Sequence, residues 1–457
     1  MGSLTSSLWI AAGALDVDQG ALDATTNNIA NANTPGYSRE VVDLSEATPV
    51  VVGQLTFGTG VNLDQIQSVR DQVLSLQIEE QMTQQNGAQT QLNSLGQVQA
   101  LFADPTQGIG ADLTAFFNSI SQLSTDPANG AQRSAVITAA QNLATSFNHT
   151  AQSLTTNQES LNQSVSSTVD QINALTKQIA QINAQVGQLQ QLGKDPGALE
   201  DQENQLINKL SQLTNISETQ TQQGLTLTTG NGTALVVANQ SYALQVSTGT
   251  DGMQDVFSNG QDITSTIKGG SLGGAIQVRD QDIPGLMNQL NTLASQFADA
   301  INNAQAQGYD LNGNQGQALF TYNAAGAASS LAMATTDPDA IAASSDGTPG
   351  SNGNITNLMA VETNPLPAGL NPTDSYATIV AQAGNLAAQA QAEVTSSTTS
   401  LNQLTDQLGA ISGVSINEET ANLLNYQNAF AAAARVVNTV DQLTQTVLSM
   451  GSGATVG

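Results

Sequence analysis

Two thin apolar stripes, one at each end of the chain, constrain the fold more than any other feature. Near the start, Leu8, Leu15, Leu22 and Ile29 recur every seven residues, with Leu4, Ala11 and Ala12 filling in. Near the end, Leu423, Phe430 and Val437 repeat at the same interval, and Tyr426, Ala433, Val440 and Val447 form a second row. Apolar rows at alternating spacings of three and four make a narrow helical seam suited to coiled-coil pairing. One such helix alone would read as an ordinary amphipathic element of a core. Two at opposite termini favour pairing with each other, which would bring the chain ends together.

Both helices carry end signals. Ser415-Ile416-Asn417-Glu418 fits a capping box, in which the serine oxygen accepts an orphan N–H and the glutamate reaches back. The first helix runs into Asn27-Asn28-Ile29-Ala30-Asn31-Ala32-Asn33, then Thr34-Pro35-Gly36-Tyr37. Asparagine tolerates left-handed backbone at a helix exit. Pro35 and Gly36 suit the central positions of a type II turn, so the chain stops, turns sharply and presents Tyr37 and Arg39.

Between the ends the pattern alternates. Short β-type runs between Val41 and Ile66, such as Pro49 to Val52 and Gly60 to Asp64, are split by Gly and Pro. Helical periodicity covers Val69 to Ala103 and Ala111 to Leu213, with breaks expected near Pro105, Pro127 and Pro196. Within it Ile172, Leu175, Ile179, Ile182, Val186 and Leu189 form one more seam, and the glutamines around them read as a solvated face. Near Gly224 the composition turns to β: Leu225–Thr228, Ala234–Val237, Tyr242–Val246 and Ile263–Ile267 read as strands, closed by the glycines at 269 to 274. Helix returns from Pro284 to Ala306 and from Ser375 to Leu408, with residues 335 to 373 read as loop. The expected fold is mainly α with a small inserted antiparallel β domain. Residues 1–36 and 414–450 would form paired terminal coiled-coil helices, 37–220 and 281–413 a long helical bundle core, and 221–280 the β-rich outer domain.

Composition excludes several functions. With 37 acidic residues against nine basic ones, a formal charge of −28, no cationic surface exists for nucleic acid or an anionic membrane. The absence of cysteine removes disulfides and thiolate chemistry, and a single histidine, His149, cannot build a two-histidine metal motif. Asp310 to Gly316 superficially resembles a calcium loop, but the required glycine falls at Gln315 and the closing acid at Thr321. The glycines at 269 to 274 have no phosphate-loop spacing, and the neighbouring pairs Glu79–Glu80 and Glu418–Glu419 point apart on a helix. No catalytic, metal or cofactor site is expected. With aromatic residues at only 4% of positions, packing is expected to rest on Leu, Ile, Val and Ala. Residues 1 to 10 lack the basic start and apolar core of a secretory signal, and no apolar run approaches the roughly 20 residues that span a bilayer.

The run Asn27 to Tyr37 resembles the N-terminal motif shared by bacterial flagellar rod, hook and hook-associated subunits. Ser412-Gly413-Val414 through Glu418-Glu419, Tyr426-Gln427 and Ala433-Ala434-Arg435 resemble the C-terminal motif of the hook-associated protein 1 family. Phe116-Phe117 with Asp126-Pro127 and Arg133, the stretch Gln178 to Asn183, Gly269-Gly270 to Arg279-Asp280, and Gly308 to Phe320 are similar to that family's interior landmarks. One departure is Glu200-Asp201-Gln202-Glu203, where the family more often has an arginine after the aspartate, so a local ion pair is in question. The chain is also short for the family, which implies one outer domain rather than two.

The resemblance implies a structural junction between flagellar hook and filament. The hook protein would lie on one side, hook-associated protein 3 on the other, and further copies of the chain around a ring. It also implies passage through the flagellar type III export channel without a cleaved signal, an extracellular location on the flagellum, and a cytoplasmic export chaperone on the C-terminal helix. The expected assembly interface is Leu8, Leu15, Leu22, Ile29, Asn31, Thr34, Pro35, Gly36, Tyr37, Leu423, Tyr426, Phe430, Val437, Val440 and Val447; Leu423, Phe430 and Val437 are the expected chaperone anchors. Each seam is thin and alanine-rich, so the termini are expected to order only on assembly. The alternatives are a hook or distal-rod subunit and, in another class, a type III secreted helical effector or translocator.

Overall fold

The computed structural model describes residues 2–52, 55–102, 108–221 and 224–452. A long first helix, α1 (Gly2–Asn31), is followed by strands β1 (Glu40–Glu46), β2 (Val50–Val52), β3 (Leu55–Phe57) and β4 (Val61–Ser68). Strands β1 and β4 pair antiparallel, with β2 and β3 as a small hairpin between them. Helices α2 (Gln72–Phe102), α3 (Ile109–Leu123), α4 (Gly130–Gln191) and α5 (Gly197–Leu213) come next. The breaks at Pro127 and Pro196 fall where expected; the one at Pro105 lies outside the described residues.

Helix α4 is the spine. Its 62 residues reach about 93 Å at the helical rise of 1.5 Å per residue. The Asn129 side chain caps it, accepting from the Ala131 and Gln132 amides. The N-terminal half, from Val136 to Leu154, packs into the larger hydrophobic core. The C-terminal half, from Val165 to Ala180, packs into a second core shared with the β insertion. On the seam of that half Ile172, Ile179 and Val186 are buried, and Leu175, Ile182 and Leu189 are half-buried.

The insertion begins earlier than composition suggested, with β5 (Ile216–Thr221). It continues through β6 (Gly224–Thr229), β7 (Ala234–Val237), β8 (Gln240–Ser241), β9 (Gln245–Thr248), β10 (Gln254–Ser258) and β11 (Gln261–Asp262). The strands form two antiparallel sheets, β5-β6-β7-β8 and β11-β10-β9. One sequence expectation fails outright here. Ile263 to Ile267 holds a 3-10 turn (Thr264–Thr266) rather than a strand: Asp262 accepts the Thr264 amide and hydroxyl, and the Thr266 hydroxyl donates to the Ile263 carbonyl, side-chain bonds that favour a turn over a strand. The glycine run closes the insertion, as expected, and opens helix α6 (Gly270–Gln277). Its glycines allow backbone to approach backbone: a Cβ on Gly274 would lie 2.3 Å from the Gly87 carbonyl oxygen of α2.

A π-helical turn (Val278–Asp282) leads into α7 (Ile283–Ala306). After it come β12 (Phe320–Thr321), α8 (Ala327–Ser330), β13 (Ala332–Met333), α9 (Ile355–Thr363), α10 (Pro372–Ser412) and α11 (Ile416–Ser452). Helix α9 falls inside the span read as loop; Leu358 and Val361 bury against the larger core, which stabilises a helix too short to show periodicity. The few aromatic residues are concentrated rather than absent from packing. Phe116, Phe117, Phe297 and Phe320 meet with ring centroids 5.4–6.2 Å apart, tilted edge to face as the ring quadrupole favours. Two arginines are fully buried. Arg133 donates to the carbonyls of Pro127 and Ile341, and Arg279 joins Asp280, Asn162 and the Gln254 carbonyl, pinning β10 to α4.

Candidate assembly site at the terminal helices

Helices α1 and α11 pack along each other and run antiparallel, since α1 leaves and α11 enters at one joint above α5. On α11 the expected stripe faces inward. Leu423, Tyr426, Phe430 and Val437 are half-buried and Val440 is buried, whereas Val447 near the tip is exposed. On α1 the stripe is rotated from the expected one. Leu8 is exposed and Leu15, Leu22 and Ile29 are only half-buried, while Ala11, Val17, Ala21, Ala24 and Asn28 are buried. The reason is a second neighbour: α1 also carries the β1–β4 pair. Strand β4 comes close enough that a Cβ on Gly20 would sit 2.7 Å from the Leu63 side chain, so small residues take the deepest positions.

The joint is built from the asparagine-rich exit. Asn28, 1% exposed, donates its Nδ2 to the Glu40 carbonyl at 2.8 Å, while its Oδ1 accepts the Glu40 amide at 2.8 Å. One side chain thus completes the strand-like backbone pairing of β1. Its Oδ1 also accepts the Tyr37 hydroxyl at 2.8 Å. Burial, with Glu40, Asp201 and Glu419 nearby, pushes the Tyr37 hydroxyl well above the ordinary phenol range. Asn31 donates to the Asn27 carbonyl and side chain, and its Oδ1 accepts from Thr34. No residue from 27 to 35 takes left-handed backbone; the asparagines serve through their side chains instead. Gly36 does, with φ of 76°, and the Tyr37 amide donates to the Thr34 carbonyl, closing the expected turn. Thr34, Pro35 and Gly36 are exposed and Asn31 and Tyr37 are half-buried.

Below the turn the exit loop is anchored to the core. The Ser38 amide and hydroxyl donate to the Asp201 carboxylate at 3.0 and 2.8 Å. Arg70 donates to the same carboxylate at 2.8 Å, to the Gly197 carbonyl at 2.7 Å, and pairs with Glu200. The local cation that the family more often has just after the aspartate is absent, and Asp201 pairs instead with Arg70, 131 residues away. Gln205 donates to the Pro35 carbonyl at 3.0 Å. On the other side the Arg39 amide donates to the Ser412 carbonyl at 2.9 Å, and its guanidinium meets Glu418 at 3.4 Å. The capping box is only half made: Ser415 Oγ accepts the Glu418 amide at 3.4 Å, and the Glu418 carboxylate turns to Arg39 instead of back. A groove of about 320 Å³ lined by Arg39, Gly409, Gly413, Val414 and Glu418 opens beside this contact.

Asn28, Asp201 and Arg70 are the residues that motif reading left out of the site. Asn28 was accessible from spacing, since Val17, Ala21, Ala24 and Asn28 follow a four-three-four helical rhythm. Asp201 and Arg70 had no local signal, because their partner lies far off in sequence. Away from α1, α11 exposes Leu424, Val436, Leu443, Leu448 and Met450, and α1 exposes Trp9, 73% accessible. His149 is exposed on α4. Asp310 accepts the amides of Asn312 and Asn314 at 2.8 Å, making a tight loop. Among the described residues no cluster of three or more His, Cys, Asp or Glu is arranged to hold a metal, and no helix is long and apolar enough to cross a membrane.

Three family descriptions match successive parts of the chain: flagella basal body rod protein over residues 8–37, the helical domain of flagellar hook-associated protein FlgK over 95–320, and the C-terminal region of flagellar basal body rod FlgEFG protein over 409–450. The chain is 30% identical to flagellar hook-associated protein 1 of Bacillus subtilis, over 99% of this chain and 100% of that one. It is 31% identical to flagellar hook-associated protein 1 of Salmonella typhimurium, over 67% of this chain and 58% of that one. In fold it is similar to the flagellar hook junction protein FlgK from Burkholderia pseudomallei, with a TM-score of 0.68 at 19% identity, covering 74% of this chain and all of that one.

Proposed function

The chain belongs to the flagellar hook-associated protein 1 family and is a structural subunit of the junction between flagellar hook and filament; we propose that its paired ends order only as it is assembled there. The observation that carries this reading is the one-sided burial of α11. Its inner stripe rests chiefly on α1, while its outer face leaves large apolar side chains in solvent. Each of these could contribute about 1.5–3 kcal/mol if covered by a neighbouring subunit, enough to offset the ordering of a helix that is marginal by itself.

Within that reading, Leu8, Leu15, Leu22, Ile29, the turn from Asn31 to Tyr37, and the α11 stripe form the assembly interface. Neighbours are further copies in a ring, hook protein on one side and hook-associated protein 3 on the other. Leu423, Phe430 and Val437 face α1, so an export chaperone reaches them only when α11 is released, which fits capture before assembly. The chain leaves the cell through the type III export channel, works outside it, and has no catalytic role. Hydrogen exchange on the isolated full chain should find the amides of 1–30 and 420–448 unprotected; protection there would overturn conditional folding. Deletion of the gene should leave completed hooks without filaments and flagellin in the medium. Loss of the hook itself would place the chain in the hook or distal rod instead.

A further inference from the structure

Where the β insertion joins the helical core, three glutamates from three elements meet: Glu79 of α2 and Glu203 of α5, both buried, and Glu218 of β5, which is half-buried with one carboxyl oxygen buried. Glu79 and Glu203 are each 7% exposed. The Glu79 and Glu218 carboxyls lie within hydrogen-bonding reach of each other. Two carboxylates both only accept, so such a bond exists only when one oxygen carries a proton. One oxygen of Glu203 and one of Glu218 are buried with no hydrogen-bond partner in the structure.

The surroundings supply little compensating charge. Arg70 acts on Glu203 from beside α5, but its donors are committed to Asp201, Glu200 and the Gly197 carbonyl. Lys268, ahead of α6, shares an open groove with Glu80 of α2 and Glu393 of α10, two more acids. Neutral ties join α2 and α5 here: the Thr83 hydroxyl donates to the Ser211 carbonyl at 2.8 Å, and the Ser211 hydroxyl to the Met82 sulfur at 4.0 Å.

We propose that Glu79 and Glu218 share a proton at neutral pH and, with Glu203, form a proton-dependent latch that holds β5 and the end of α5 against α2. Below neutrality the carboxyls are neutral and the pair is closed. As pH rises the shared proton is lost to hydroxide, leaving like charges in contact inside the protein, and the first strand of the insertion loosens. Desolvation raises all three groups above the ordinary carboxyl range, Glu203 to about 7, which places the release on the alkaline side of neutrality. The insertion would then be firmly seated in acidic and neutral media and more mobile in alkaline ones.

The full chain tests this in two ways. Infrared difference spectra at pH 7.5 should show a protonated carboxyl band, since unperturbed carboxyls are ionised there; its absence in the wild-type chain overturns the proposal. Hydrogen exchange across β5, corrected for the intrinsic pH dependence of exchange, should lose at least tenfold protection between pH 6.5 and 9.5. The Glu79→Gln/Glu218→Gln chain, which keeps a neutral hydrogen bond, should hold its protection constant. Equal pH dependence in the two chains also overturns the latch. Should the double variant fail to fold, the wild-type infrared band remains decisive.

Discussion

Replacing Asp201 by alanine probes the anchor of the exit loop directly. Its carboxylate, 7% exposed, accepts from the Ser38 amide, the Ser38 hydroxyl and Arg70. A hydrogen bond to a charged group contributes roughly 1.5–3 kcal/mol, and leaving the Ser38 amide unpaired costs about 1–3 kcal/mol. These do not simply add. Arg70 is 22% exposed and keeps Glu200 and the Gly197 carbonyl, so its share is discounted for solvent. About 3 kcal/mol remains, which corresponds to roughly a hundredfold in an opening equilibrium. A chain of this size need not unfold in one step, so native-state hydrogen exchange at the Ser38 amide is the suitable assay. Asp201→Ala should speed it about a hundredfold, and Asp201→Asn, which keeps an acceptor but not the charge, by an intermediate amount. Acceleration of less than about threefold in the alanine variant would refute the view that this carboxylate holds the loop.

The other expectations are narrower. Asn28→Leu should free the Tyr37–Glu40 segment, costing about 2–3 kcal/mol through the unpaired Glu40 amide and carbonyl, visible as lost exchange protection at Glu40 once α1 is docked. Gly274→Ala should destabilise by about 1–3 kcal/mol in urea titrations, because its new methyl meets the Gly87 carbonyl. By contrast, Gly285→Ala, with nothing within 4 Å, should be neutral or stabilising by about 0.5–1 kcal/mol. Burial moves Glu203 from 4.5 to about 7, and a carboxyl raised on folding favours the folded state at low pH. That contribution, about 3 kcal/mol, is complete below pH 4.5 and lost as pH rises through 7. The urea midpoint should fall across that window, and Glu203→Gln should flatten the fall.

How much of this was legible in sequence depends on distance along the chain. The α11 stripe from Leu423 to Val440 reads correctly because one helix faces one partner, so its apolar period alone says which side is buried. The α1 stripe does not, because α1 serves both α11 and β4, and Gly13, Gly20 and Ala21 are chosen for close approach rather than for hydrophobicity. The Pro35–Gly36 turn is local and follows from the conformational demands of its two residues. Ile263 to Ile267 carries β-type composition yet holds a turn, since side-chain hydrogen bonds of Asp262 and Thr266 with nearby backbone override a weak strand preference.

The sequence alone therefore determined the helical ends, their pairing, the turn between them and the character of the β insertion. All of these rest on interactions within a few residues or on the periodicity of a single face. The tertiary structure decided which side of α1 is buried, that Arg70 supplies the cation Asp201 needs, that four scattered phenylalanines meet, and that the buried Glu79 and Glu203 come beside the half-buried Glu218. The physical reason is common to these cases. Burial and charge pairing depend on groups tens to hundreds of residues apart, and only the folded chain fixes which of them become neighbours.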